Sequence, residues 1–295
     1  MSEQRVMTIG VVGLGSMGLG IAQTLASKGF HTLGYDLADQ RMELAAASGV
    51  EKAPVLSALF ERSDYLVFSL PTARDVENVI NEHGHLLGNA GCNRVIIVDT
   101  STSEPDVSRA IAAKLDVAGH GFLDAPVSGG PAGAASGKLT MMIGGSDADL
   151  ALARPVIEAI SAKALHVGPS GAGNVAKLVN NMLAAAHMIT TSEALKMALA
   201  AGISPEAALR VLNAASGKSM ISEVHFPTWV MNDRFDSGFS MGLMRKDVRL
   251  AQEMAQATNA ENPLTSVVAQ LWADADWKDS DDFTRMGSFQ PDTNK

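Results

Sequence analysis

Lys177 and Asn181 stand four residues apart in the run Gly171-Ala172-Gly173-Asn174-Val175-Ala176-Lys177-Leu178-Val179-Asn180-Asn181. The two glycines suit a turn and a helix entry. The apolar run behind them predicts one helix to about residue 201. Residues i and i+4 of a helix share a face, so the two side chains project together. A lysine ringed by apolar residues loses hydration, and its ammonium becomes easier to deprotonate. That describes a proton shuttle for an alcohol or a carbonyl, with the amide one turn on as a partner of the reacting oxygen. The competing reading is a lysine that snorkels and an amide that packs or caps.

A second constellation lies near the start of the chain. Residues 6–12 read as a buried parallel strand, followed by Gly13-Leu14-Gly15-Ser16-Met17-Gly18 and a helical pattern that stops at Gly29. A further strand, 31–35, ends in Asp36. This is G-x-G-x-x-G in its required setting of strand, turn, helix, strand and acid. The glycines let backbone N–H groups approach a pyrophosphate at a helix N-terminus. The acid, about 20 residues on, accepts the adenosine ribose hydroxyls. A carboxylate there repels a 2′-phosphate, and Leu37 follows where an arginine would favour NADP. The expected cofactor is NAD, with NADP the less favoured, because Arg41 can still swing in. The competing reading is a glycine turn that only packs helix on strand.

These residues need elements to hold them. Strands are expected at 65–70, 94–99, 121–124, 138–143 and 164–167, alternating with helical patterns. In open α/β sheets, ligands collect at the carboxyl ends of the strands. Leu70, Pro71 and Thr102 fall at such ends and are candidates to line the cofactor. Their competing roles are turn formation for Pro71 and helix capping for the Thr100-Ser101-Thr102-Ser103 run. Ser128-Gly129-Gly130 forms a turn whose N–H groups and hydroxyl suit a carboxylate, or else an ordinary glycine loop. From Asn174 onward nearly everything reads helical. The expected fold is therefore an α/β Rossmann-type N-terminal domain, 1–169, and an all-α C-terminal domain, 170–295, joined by the long helix. At 1.5 Å per residue that helix is about 40 Å long. Asn180, Asn181, His187, Thr190, Glu193 and Lys196 interrupt it too often for a membrane span.

Composition narrows the function classes. The chain has 295 residues, of which 46% are hydrophobic and 19% charged, as in an ordinary globular enzyme of two domains. A net charge of −9 without a basic cluster argues against nucleic acid and anionic membranes as partners. The single cysteine, Cys92, excludes an intramolecular disulfide and fits a reducing, cytoplasmic setting. It reads as a small buried hydrophobe. Residues 1–5 carry no signal-peptide pattern. No metal site is expected. The tail, 276–295, suggests no role.

Four separated motifs, spread over about nine tenths of the chain, resemble the β-hydroxyacid dehydrogenase family, the group of 3-hydroxyisobutyrate dehydrogenase and tartronate semialdehyde reductase. They are the 13–18 turn, Asp124-Ala125-Pro126-Val127-Ser128-Gly129-Gly130, the stretch from Gly171 to Asn181, and Phe239-Ser240-Met241-Gly242-Leu243-Met244-Arg245-Lys246-Asp247. The resemblance implies that Lys177 is the catalytic lysine and that Asn181 holds the substrate near it. It implies that Ser128, Gly129 and Gly130 bind the substrate carboxylate, that Lys246 lies beside the cofactor, and that Thr102 lies near the nicotinamide ribose. Asp247 reads instead as helix structure. Imine reductases share the family fold but lack a lysine at the position of Lys177, so its presence points to alcohol chemistry. The implied function is NAD-dependent oxidation of the 3-hydroxyl of a small 3-hydroxy acid, 3-hydroxyisobutyrate-, serine/threonine- or threonate-like, with the lysine as general base. The alternatives are a semialdehyde or glyoxylate-type reductase using NAD(P)H, and, more remotely, a silent dinucleotide-binding scaffold. A homodimer or homotetramer is expected, because one subunit does not easily close so long an apolar helix. In the helical domain, Ser216-Gly217-Lys218-Ser219 resembles a family turn facing the substrate, with Lys218 a candidate for a second negative charge.

Overall fold

The computed structural model describes residues 7–88 and 94–289. Cys92 and residues 1–5, read above, lie outside that range. The chain divides into two compact units, residues 1–177 and 178–295.

The first unit is built on a nine-stranded sheet in the order β3-β2-β1-β4-β5-β6-β8-β7, with β9 also paired to β8. Its strands are β1 (Thr8–Val12), β2 (His31–Tyr35), β3 (Glu51–Lys52), β4 (Tyr65–Phe68), β5 (Ile96–Asp99), β6 (Gly121–Asp124), β7 (Val127–Ser128), β8 (Leu139–Gly144) and β9 (Ser161–Gly168). The strands from β1 to β6 run parallel. β8 lies antiparallel to β6 and β7. The near-continuous apolar strands have the expected physical cause, since successive residues point to opposite faces and both faces are covered. Val11, Val67, Val98 and Leu123 face one core, packed by α1 (Ser16–Ser27), α2 (Asp39–Ala46) and α7 (Asp147–Ile160). Val12, Leu66, Ile97 and Phe122 face the other, packed by α3 (Leu56–Arg62), α4 (Ala73–His83) and α5 (Pro105–Val117). The short α6 (Gly130–Ser136) packs on α1.

Strand register decides where chemistry can gather. Tyr35, Val12, Phe68, Asp99 and Asp124 form one row across the sheet. The residues that follow each of them leave the sheet together at its carboxyl edge. Chain order reverses between β1 and β4, and such a reversal opens the crevice in which doubly wound sheets bind ligands.

The second unit is helical, as expected. α8 (Ala172–Ala200) is the long helix, and α9 (Pro205–Ala214), α10 (Met241–Ala257) and α11 (Pro263–Asp274) follow. One element was not legible beforehand: residues Ile221–Val230 form a π-helix that contains Pro227. A proline removes one i→i−4 hydrogen bond and crowds the preceding turn, and a widened turn relieves both. Trp272, Phe226, Met188 and Met241 are fully buried at the centre of this unit. The tail, to which the sequence lent no role, contributes to that core through Phe283 and Phe289. Arg245 secures it, donating to the carbonyls of Trp272, Ala275 and Trp277.

Each unit holds a partly or fully desolvated histidine. His120 accepts from the Val95 N–H at 3.3 Å, and His225 lies between Trp229 and Phe283 at ring distances of 5.1 and 5.6 Å. Burial pushes both imidazoles below the ordinary value of 6.5. Below that value the unfolded chain takes up protons that the fold refuses. Their contribution to stability is therefore complete above pH 6.5 and falls as the pH drops beneath it. The melting temperature is expected to decline between pH 7 and 5, and His120→Asn with His225→Asn to flatten that decline. An unchanged slope in the double variant would assign the acid sensitivity to other groups.

Candidate active site

The glycine turn after β1 is shaped by close approach. A Cβ on Gly18 would lie 1.9 Å from the Gly13 carbonyl oxygen, and one on Gly13 would lie 2.4 Å from the Ser69 carbonyl. Gly15, the residue before α1, has nothing within 4 Å of its Cβ position. No side chain caps α1 at this end. The turn thus has two glycines that pack and one that faces open space, with the helix N–H groups of Ser16 and Met17 beside it. That is the cradle a pyrophosphate fits.

Asp36 is tied to this turn. Its Oδ2 accepts from the Leu14 N–H at 2.7 Å and its Oδ1 from the Ala38 N–H at 2.9 Å. Leu37 beside it is 92% exposed. The next two strand ends are stitched together. The Leu70 N–H donates to Ser101 Oγ at 2.9 Å, and Thr100 Oγ1 donates to the Phe68 carbonyl at 2.6 Å. The hydroxyls of Thr100 and Ser101 are therefore not helix caps: α5 begins after Glu104 without a side-chain cap and with Pro105 in its first turn. Capping does occur after Pro71, where Thr72 and Asp75 form a capping box on α4. Thr102 is half-buried and Pro71 exposed at this edge.

The second group of residues surrounds the start of α8. Ser128 ends β7, and Gly129 and Gly130 follow with φ of +127° and +62°, a pair of left-handed residues that only glycines adopt without strain. The Ser128 hydroxyl makes no hydrogen bond among the described residues. Lys177 is buried, 7% exposed, and its Nζ donates to the Val127 carbonyl at 2.8 Å. The lysine ammonium is thus held against the residue that precedes Ser128. Asp124, at the end of β6, is fully buried and accepts from the Gly171 and Asn174 N–H groups. Burial pushes its carboxyl above the ordinary 3.8, and the backbone N–H groups of Gly171 and Asn174 pull it partly back.

Asn181 is buried one turn after Lys177 on α8. Its Oδ1 accepts from Asn180, and its Nδ2 donates to Asp247 Oδ2 at 2.6 Å. Asp247 is 1% exposed, and its Oδ1 lies 3.5 Å from Lys246 Nζ. The reading of Asp247 as helix structure is thereby corrected: it is the carboxylate that orients Asn181. A signal was present, since Met244, Asp247, Val248 and Ala251 share one helix face and an acid on an apolar stripe needs a partner. Lys218 is half exposed and paired with Glu223 at 2.6 Å, and Ser219 exchanges hydrogen bonds with Ser222 at the start of the π-helix. Among the described residues, no three His, Cys, Asp or Glu side chains are grouped to hold a metal, and no helix is long and apolar enough to cross a membrane.

A glycine turn open at a helix N-terminus and a buried, hydrogen-bonded lysine are groups that a nicotinamide-dependent oxidoreductase would use. Residues 8–168 match the NAD binding domain of 6-phosphogluconate dehydrogenase, and residues 171–288 match the NAD-binding domain of NADP-dependent 3-hydroxyisobutyrate dehydrogenase. The chain is 34% identical to 2-(hydroxymethyl)glutarate dehydrogenase of Eubacterium barkeri, over 91% of this chain and 89% of that enzyme. It is 35% identical to NAD-dependent L-serine dehydrogenase of Pseudomonas aeruginosa, over 90% of each. The structure of Mycobacterium tuberculosis 3-hydroxyisobutyrate dehydrogenase with L-serine superposes with a TM-score of 0.87 at 33% identity, covering 95% of this chain and 98% of that one. The chain belongs to the β-hydroxyacid dehydrogenase family. It is a dehydrogenase that acts on a CH–OH group, and its cofactor is NAD.

Proposed function

We propose that this enzyme oxidises the primary hydroxyl of acids of the form HO–CH2–CH(R)–COO−, with Lys177 as general base. The observation that carries the reading is the buried Lys177 amino group, hydrogen-bonded to Val127 immediately before the Ser128-Gly129-Gly130 turn. The names of the three relatives support the substrate class. 2-(Hydroxymethyl)glutarate, L-serine and 3-hydroxyisobutyrate share this skeleton and differ only in R.

The roles follow from donors and acceptors. The Ser128 hydroxyl and the N–H groups of Gly129 and Gly130 receive the carboxylate. Lys177, entering as the neutral amine, takes the hydroxyl proton, directly or through water, and becomes the ammonium. An amide nitrogen carries two hydrogens, and Asp247 accepts one from Asn181, leaving the other for the substrate oxygen. NAD supplies the hydride acceptor at the carbon that becomes the aldehyde. Gly13, Leu14, Gly15, Ser16, Met17 and Gly18 hold its pyrophosphate, Asp36 its adenosine ribose, and Leu70, Pro71, Thr102 and Lys246 contribute around the rest. In the reverse direction the same residues reduce a semialdehyde. A panel of 3-hydroxy acids at fixed NAD, read as NADH absorbance, tests the class. Turnover only of acids without a 3-hydroxyl would refute it.

Preference for NAD over NADP rests on Asp36. Asp36→Ala is expected to weaken NAD roughly ten- to a hundredfold, the scale of a lost charged hydrogen bond or two. It should also raise the NADP-to-NAD ratio of kcat/KM, which general loosening of the turn would leave alone. A wild-type enzyme that already favours NADP would overturn this reading.

A homodimer or homotetramer is part of the proposal, supported by the apolar side chains that α8 leaves uncovered: Val179, Leu183 and Met197 are 50%, 55% and 71% exposed. Light scattering after gel filtration decides it, and a monomer at micromolar concentration would exclude it. A cytoplasmic setting rests on the single cysteine.

A further inference from the structure

A base on a long helix is only as well placed as the helix. The start of α8 is fastened at two points. Asp124 Oδ1 accepts from the Gly171 N–H at 2.7 Å, and its Oδ2 accepts from the Asn174 N–H at 2.9 Å. These are N–H groups of the kind that a helix N-terminus otherwise leaves without partners. Asn174 supplies the second fastening. Its Oδ1 accepts from the Ser103 N–H at 2.9 Å, and its Nδ2 donates to Ser108 Oγ at 3.0 Å. Both Asp124 and Asn174 are fully buried.

The fit leaves no room for slippage. A Cβ on Gly173 would lie 2.3 Å from the Asp124 carbonyl oxygen, and one on Gly144 would lie 2.5 Å from Asp124 Oδ1. Lys177 follows Asn174 by about one turn, and its Nζ reaches the Val127 carbonyl, three residues beyond Asp124. The segment 124–127 therefore grips the root of the helix and the tip of its lysine at once.

We propose that Asp124, seconded by Asn174, is a positioning residue for Lys177: it fixes the register of α8 so that the ammonium meets the substrate turn. The proposal rests on Lys177 being the general base. Asp124 itself touches no reacting atom, since its carboxylate is turned to the helix backbone. Burial raises its carboxyl above the ordinary range, so its ionisation costs stability as the pH rises through that raised value.

A double-mutant cycle tests this. In Asp124→Asn an amide nitrogen must face one of the two N–H donors, and the helix start shifts. The expected kcat falls about ten- to a hundredfold, the scale of a small misplacement at a reacting group. KM and NAD affinity should stay near the wild-type values. In the Lys177→Ala background the same change should lower the residual kcat by less than about twofold, because the group it positions is gone. Ser108→Ala is the gentler second variant, deleting only the hydroxyl that receives the Asn174 amide. It should lower kcat a fewfold in the wild-type background and not at all beside Lys177→Ala. If Asp124→Asn does not fold, the Ser108→Ala pair decides alone. Unchanged kcat in the folded variants, or equal losses in both backgrounds, would overturn the proposal. Failure of the general-base reading would show separately, as near-normal turnover in Lys177→Ala itself.

Discussion

Lys177→Ala is expected to lower kcat by about two to four orders of magnitude, the usual scale for a general acid–base residue. The dinucleotide turn, 13–18, is remote in sequence from Lys177, whose Nζ donates to the Val127 carbonyl. NAD affinity, measured by titration, should therefore stay within about twofold, since no hydrogen bond to the cofactor is lost. Lys177→Arg should not restore turnover. A guanidinium does not give up its proton near neutral pH, and its fork does not fit the space of an ammonium. Near-normal kcat in purified Lys177→Ala would remove the proton shuttle from the account.

Gly15→Ala should separate ligand recognition from folding in a single variant. The Cβ position of Gly15 is open and its φ is −59°, which alanine adopts without strain. The melting temperature should not move. NAD affinity should fall about ten- to a hundredfold, because the new methyl enters the space where the pyrophosphate approaches the backbone. Gly18→Ala should behave differently. Its Cβ would overlap the Gly13 carbonyl at 1.9 Å, so the turn must open and both stability and affinity should drop. Equal NAD affinity in Gly15→Ala and wild type would show that the turn packs helix on strand and does nothing more.

Much of this architecture is legible in the sequence because local pattern and tertiary role agree. The strand of Val11 and Val12, the glycine turn and Asp36 specify their own geometry through sterics and hydrogen bonds within about 25 residues. α8 could be bounded at both ends because an apolar run between glycines admits little else; the predicted end near residue 201 lies next to the observed Ala200. What escaped notice depends on partners distant in sequence. Asp247 looks like any helix acid until Asn181, 66 residues earlier, is brought against it. Asp124 reads as part of a substrate motif, and only the pairing of β6 with the start of α8 shows it gripping a helix. The Ser/Thr run after β5 carries a capping pattern, yet Thr100 and Ser101 bond across to β4, because the sheet register places that strand end nearer than the first turn of α5. The π-helix has no periodicity of its own to read, and Pro227 alone hints at it.

The central claim is that oxidation takes hydride from C3 of a 3-hydroxy acid. The most direct measurement is the mass of NADH formed from the best acid of the panel after deuteration at C3. The account predicts NADH one mass unit heavier, with the second deuterium retained on C3, the aldehyde carbon of the product. NADH of ordinary mass from a fully deuterated C3 would contradict it.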